Sequence, residues 1–371
     1  MMYRHSQSWL FAVCLLLVSY GSALAQDLVE RRNGLSSING RIEQVDVAGI
    51  RIRPEGSASS VQIPWDRVSN VSTIDHFDAV VRFDQFRMDI WRARTRIERD
   101  STELAEPLLE RLFEQVEGQT HETALIVAEG LLRCRLARGV NVLAVIPAME
   151  VIRLRRSGIE TSSYEDLPLM YDADHGLCPH LPPYFVESPL MLRVHRALRD
   201  YETHDDEHVR FVARSYQRAI GRVINVDVEL PTINAGTTHR GQSLLELMDQ
   251  TTSPDPALRE QARRRLNGLA VRQPPFAHAW SRMAVGLSLL GEPDKSQHEH
   301  GLLQLLIVAA RHDVAQPYLS GMALRLVIAH YRASGEVELA SGLEATLEKT
   351  HPNHPARHAT ISLPSFVRPE G

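Results

Sequence analysis

The stretch PFAHAWSRMAVGLSLLGEPDKSQHEHGLLQLLIVAAR, residues 275–311, reads as two helices folded back on one another. Trp280 and Ala284 are four residues apart and share a helical face, and Gly291 ends the run. The polar turn Glu292-Pro293-Asp294 then reverses the chain, and Asp294 with Gln297 makes the cap of a second helix. A single pair of this kind cannot bury its apolar face, so neighbouring pairs must stack on it. The expected fold class is α+β: a small antiparallel β-barrel-like module followed by a mainly α-helical repeat region.

A second unit carries Leu324, Tyr331, Gly335, Ala340 and Pro352, and laying Gly291 on Gly335 gives a period of 44 residues. Over residues 274–354 the pattern resembles that of tetratricopeptide repeats, whose usual period is about 34 residues. Ser296 replaces the small alanine of that pattern, and Glu344 stands where it has an aromatic. The resemblance implies helix-turn-helix stacking and a concave surface suited to a protein or peptide.

Working towards the N-terminus, the helical region extends back to residue 207. A helix is expected over Glu207 to Val223, an extended segment with a turn from Val226 to Arg240, and a helix capped by Asp255 with Pro256 at its first position. Residues 159–206 break the period with Pro168, Pro179, Pro182, Pro183 and Pro189 and are expected to be irregular. Residues 76–158 are helical again. One helix there opens on a capping box of Asp100 and Glu103 and stops near Gly118, the next stops at Gly139, and the third at Gly158. Arg153, Arg155 and Arg156 close that third helix, where cations complement the helix dipole.

Residues 35–75 change to period two, with Ile50 and Ile52, then Val61, Ile63 and Trp65, on alternating positions. Asn39-Gly40, Ala48-Gly49 and Pro54-Glu55-Gly56 supply the turns. This rhythm resembles SH3-like or Sm-like small barrels, folds that host many functions. Residues 26–34 are expected to be a linker and residues 355–371 a poorly ordered tail.

The N-terminus carries an export signal: Arg4 and His5 precede an apolar run from Trp9 to Val18, and Ala23-Leu24-Ala25 fits signal peptidase. Removing these 25 residues from 371 leaves a mature chain of 346, secreted or periplasmic, long enough for about two domains. No segment reaches the roughly 18 apolar residues of a membrane span, so no transmembrane anchor is expected. The formal charge is −5, without a basic tail, so nucleic acid is not an expected partner and another protein or peptide is. Oligomeric state is left open.

Nucleotide, dinucleotide, hydrolase-elbow and zinc-protease motifs are all missing, so no cofactor is expected and no catalytic residue is assigned. One cluster has ligand character: Asp172, Asp174, His175, Cys178 and His180 place three types of zinc-capable residue within nine positions. Gly176 and Pro179 make an ordinary loop a sufficient account of the same stretch, and a metal-dependent hydrolase is the alternative. Cys178 also pairs with Cys134 as a candidate disulfide, because an even pair persists in an oxidising compartment. His204-Asp205-Asp206-Glu207-His208 lacks the glutamate a zinc-protease helix needs and reads as an acidic helix start. The favoured function is a non-enzymatic interaction or scaffold protein.

Overall fold

A computed structural model describes residues 26–230, 239–269, 273–359, 361, 363 and 366. The expected signal peptide, residues 1–25, and part of the expected extended segment before Arg240 lie outside the described residues. The fold is α+β. Five strands precede twelve α-helices among the described residues, and the chain divides into two compact units, residues 1–94 and 95–371.

The first unit holds an antiparallel sheet of β1 (Asp27–Arg31), β2 (Ile38–Asp46), β3 (Gly49–Pro54), β4 (Val61–Ile63) and β5 (Val68–Ser72). The strand order is β4-β3-β2-β1-β5. β4 and β5 are the two ends of the sheet, which is open, so the expected barrel does not reach closure among the described residues. The alternation in β3 does its expected work: Ile50 and Ile52 are fully buried and pair with Val45 and Ile42 of β2, while Arg51 and Arg53 face outward. Two expectations change. Residues 26–34 are not a linker but carry β1, which lies between β2 and β5. Gly40 marks no turn; it lies inside β2, where a Cβ would meet the Arg53 carbonyl oxygen at 2.1 Å. Trp65 is fully buried, donates from Nε1 to the Asp46 carbonyl at 2.8 Å and stacks on Phe83 at 5.5 Å. Phe83 lies on α1 (Phe77–Glu98), as does Arg94, which pairs with the buried Asp66 at 2.9 Å.

The second unit is a succession of packed helices. The first group is α2 (Thr102–Val116), α3 (Glu122–Ala137) and α4 (Asn141–Arg156), each packed on the next. α2 begins one step later than expected: Ser101 is its N-cap, and Asp100 stands just before it with a left-handed φ of 57°. Gly118, Gly139 and Gly158 all have positive φ, as the ends of these helices require.

Residues 159–206 pack as part of the core. Leu177, Cys178 and Leu181 are buried there, and the Tyr216 hydroxyl donates to the Leu181 carbonyl at 2.7 Å. The segment also contains α5 (Met191–Ala197) and a 3-10 turn, Leu198–Tyr201, that the proline content hid. Tyr201 donates to the buried Glu150 at 2.9 Å, and Arg153 closes on the same carboxylate at 2.7 Å.

The remaining helices are α6 (Glu207–Ile224), α7 (Arg240–Gln250), α8 (Pro256–Leu269), α9 (Pro275–Leu290), α10 (Lys295–Arg311), α11 (Pro317–Ala333) and α12 (Val337–Thr350). From α8 onward each packs on its successor, giving the repeat-like stack expected. α9 and α10 approach at two glycines: a Cβ on Gly301 would lie 2.9 Å from the Gly286 carbonyl oxygen. Gly291 and Gly335, equivalent by sequence spacing, are not equivalent in conformation. Gly335 has φ +85°, whereas Gly291 is right-handed, and a Cβ there would meet the Phe366 ring at 2.5 Å. Phe366 also donates its backbone N–H to the Gly291 carbonyl at 3.0 Å, so this part of the expected loose tail is docked.

Candidate functional site

The 172–180 loop is built from the inside of the fold. Asp172 and Leu177 form a β-bridge, and the tight turn between them places Gly176 at φ +66°. His175 donates its backbone N–H to Asp172 Oδ1 at 2.9 Å, and its Nδ1 lies 2.8 Å from the same oxygen. The Gly176 carbonyl accepts from His208 Nε2 at 2.8 Å, and a side chain on Gly176 would meet that ring at 2.3 Å. Asp172 and His175 stay together, and the other three candidate ligands are drawn away from them. Asp174 is exposed beside Arg240, Cys178 points its Sγ at the Ala148 carbonyl 3.8 Å away, and His180 faces a separate cavity. Among the described residues no three His, Cys, Asp or Glu side chains gather in a way that could hold a metal ion.

Cys134 and Cys178 are both free and both buried. Burial pushes the Cys134 thiol up to about 12, with the nearby Glu106 carboxylate adding to it. It raises Cys178 further still, with Glu129 contributing. Such thiols are protonated and behave as small apolar groups.

The second histidine cluster is also structural. Asp206 caps α6 by accepting from the His208 and Val209 backbone N–H groups at 2.8 and 3.2 Å, and it pairs with Arg156 at 2.6 Å. His204 Nδ1 accepts from the Asp206 N–H at 3.0 Å. His208 is turned inward and buried, which pulls its pKa down to about 4 in spite of its bond to Gly176.

A cavity of about 480 Å³ opens elsewhere in the second unit. It is framed by the end of α3, the start of α4, the 167–180 segment, the start of α11 and residues 351–355 after α12. Its volume falls within the roughly 300–1,000 Å³ of small-ligand sites. Leu136, Leu167, Met170 and several prolines give it a largely apolar wall.

The polar groups of this wall are of two kinds. Some are committed. His354 Nε2 donates to the Tyr318 carbonyl at 2.8 Å while its Nδ1 accepts from Ala356, and burial pulls its pKa down to about 4. His351 pairs with Asp313 at 2.9 Å, and Arg138 pairs with Glu106 at 2.5 Å.

Others are left open. Asn141, only 3% exposed, has no partner for either its amide nitrogen or its amide oxygen. Arg133 binds Glu129 through Nη2 at 2.7 Å and lies over the Tyr164 ring, but its Nε has no partner. His180 stands beside Arg133, and burial together with that positive charge lowers its pKa. Asn141 is also the first residue of α4, whose first turn holds no acidic residue and whose N-cap, Val140, offers no side-chain cap. Buried polar groups without partners cost about 1–3 kcal/mol each, so an unpaired amide in a cavity wall asks for an explanation.

Sequence reading reached His180 and missed the rest of this wall. Asn141 carries no motif, and the cavity joins residues from 97 to 355, so no local window contains it. Comparison with known protein families, with curated proteins and with solved structures finds no match.

Proposed function

We propose that this chain is an exported, non-enzymatic interaction protein whose helical stack seats a segment of a partner protein or peptide in the α3/α4/α11 cavity. The observation that carries the reading is the cavity wall itself: mostly apolar, with a few polar side chains, Arg138, His180 and His351 among them, set into it. That combination is what a recognition site needs, because the apolar wall supplies affinity and the fixed polar groups supply orientation. Stacked helix pairs supply the rigid frame. The thiols, held protonated in the interior, add no nucleophile to the site.

The test fills the cavity without touching the core. Ala137 lies on its rim and is exposed, so Ala137→Trp reduces the space and leaves the helix intact. A random peptide library is selected on the mature wild-type protein and on the variant. The reading expects sequences recovered by the wild type to lose at least tenfold in affinity for Ala137→Trp. Equal recovery by both proteins overturns it.

A further inference from the structure

We propose that the second unit carries an oxyanion site between α9 and α10, where Arg282, His278, Gln304 and Arg311 hold a phosphate group. None of these residues lines the cavity, so the inference does not depend on the peptide-binding reading.

Arg282 is the hub of the cluster. Its Nε donates to Nε2 of His278, one turn back on α9, at 2.8 Å, and its Nη1 donates to Gln304 Oε1 of α10 at 2.5 Å. Both partners are neutral, so these bonds fix the guanidinium in place without cancelling its charge. The same bonds orient the partners. Accepting at Nε2 puts the His278 proton on Nδ1, and accepting at Oε1 leaves the Gln304 amide nitrogen to donate. Arg282 Nη2, His278 Nδ1 and Gln304 Nε2 are thus donors without a protein partner. All three side chains are half-buried, and none of these atoms is closed off from solvent.

The charge around this hub has one sign. His278 meets His312 edge-on with ring centroids 5.3 Å apart, and Arg311, exposed at the end of α10, directly precedes His312. Burial, followed by the charges of Arg282 and Arg311, lowers the pKa of His312, and burial with the same two arginines and His312 lowers that of His278. Burial and Arg311 likewise lower Arg282. Every charge acting on these three groups is positive. Asp313, the carboxylate next in sequence, is turned to His351 at 2.9 Å. Elsewhere in this unit arginines are matched, as Arg259 and Arg263 are by Glu292. Arg282 and Arg311 have no ion-pair partner among the described residues. His312 Nε2 is sealed from solvent, so His312 supports the cluster from behind without touching a ligand.

A tetrahedral dianion answers this arrangement. Its oxygens accept from donors on two helices at once, and its charge offsets both arginines, whose forked donors match phosphate geometry. A carboxylate brings one charge and two oxygens in a single plane. Inorganic phosphate and a phosphate monoester present the same group.

Isothermal titration of residues 26–371 with inorganic phosphate in low-salt buffer reads the site. One phosphate should bind per chain, saturably, and acetate should bind at least tenfold more weakly. Arg282→Gln should weaken phosphate at least tenfold. So should Arg311→Ala, which changes an exposed side chain and decides the matter if melts show that Arg282→Gln does not fold. Arg196→Ala, at an exposed position on α5, removes the same charge and should leave the affinity unchanged. Phenyl phosphate identifies the source: binding at least as tight as that of inorganic phosphate assigns a phosphorylated molecule, and weaker binding assigns the free anion. The proposal is overturned by absence of saturable phosphate binding, by acetate binding as tightly, or by equal losses in Arg311→Ala and Arg196→Ala.

Discussion

His208 and His354 are buried in their neutral forms, and burial lowers both to about 4 against an ordinary value near 6.5. The unfolded chain therefore takes up protons between these values that the folded chain refuses. Stability from the two rings is fully present above pH 6.5 and is lost as pH falls towards 4, by about 1.4 kcal/mol per pH unit for each ring. Urea melts at pH 7.5 and pH 5 should show a clear drop in midpoint at the lower pH, and His208→Gln should remove part of it. Identical midpoints at the two values would contradict the buried neutral state. Trp280 gives a second residue-level expectation. It is fully buried and packs edge-on against Phe276 at 5.4 Å, so Trp280→Ala should cost about 3–5 kcal/mol in a denaturant melt. A change below about 0.5 kcal/mol would place Trp280 at the surface.

At the level of elements, glycines were the most legible signs and the most easily misread. Gly118, Gly139, Gly158 and Gly335 end helices with positive φ, and spacing alone points to them. Gly40 and Gly291 look the same in sequence but answer to a different demand, close approach by the Arg53 carbonyl and by the Phe366 ring. Those neighbours are far along the chain, so no local pattern records them. β1 escaped notice for a related reason: five residues, Asp27–Arg31, carry only two apolar side chains, and pairing with both β2 and β5 makes the strand. Proline masked α5 in the same way. The α9–α10 contact separates the two roles of glycine in an experiment. Gly301→Ala places a methyl 2.9 Å from the Gly286 carbonyl oxygen and should destabilise by about 1–3 kcal/mol. Gly342→Ala, on the exposed face of α12 with nothing within 4 Å, should stabilise by up to about 1 kcal/mol. Equal effects from both would remove close packing as the reason for Gly301.

On the scale of the molecule, fold class and candidate site differ in how they are encoded. The period-two segment and the helical repeats are local patterns, and both reach the structure. The cavity is assembled from residues that meet only when the helices stack, and of its unpaired groups only His180 lay in a stretch the sequence singled out. The 172–180 cluster had the reverse fate. Its residues are close in sequence, yet the bridge between Asp172 and Leu177 sends Cys178 inward, His180 to the cavity and Asp174 outward. Thiol titration of residues 26–371 addresses Cys134 and Cys178 directly. Two buried, unbridged thiols should react slowly in the native state and fully in denaturant without reductant. No reactive thiol in denaturant would establish a Cys134–Cys178 bridge, and two thiols accompanied by one zinc per chain would favour the hydrolase alternative. No helix among the described residues is long and apolar enough to cross a membrane.

The proposed partner is held in the cavity of the second unit and not on the small sheet. Hydrogen exchange on residues 26–371, with and without a peptide recovered by library selection, locates the contact. New protection is expected at the end of α3, the start of α4 and residues 351–355, with β2 and β3 unchanged. Protection confined to the sheet, with the α3–α4 junction exchanging as before, would contradict it.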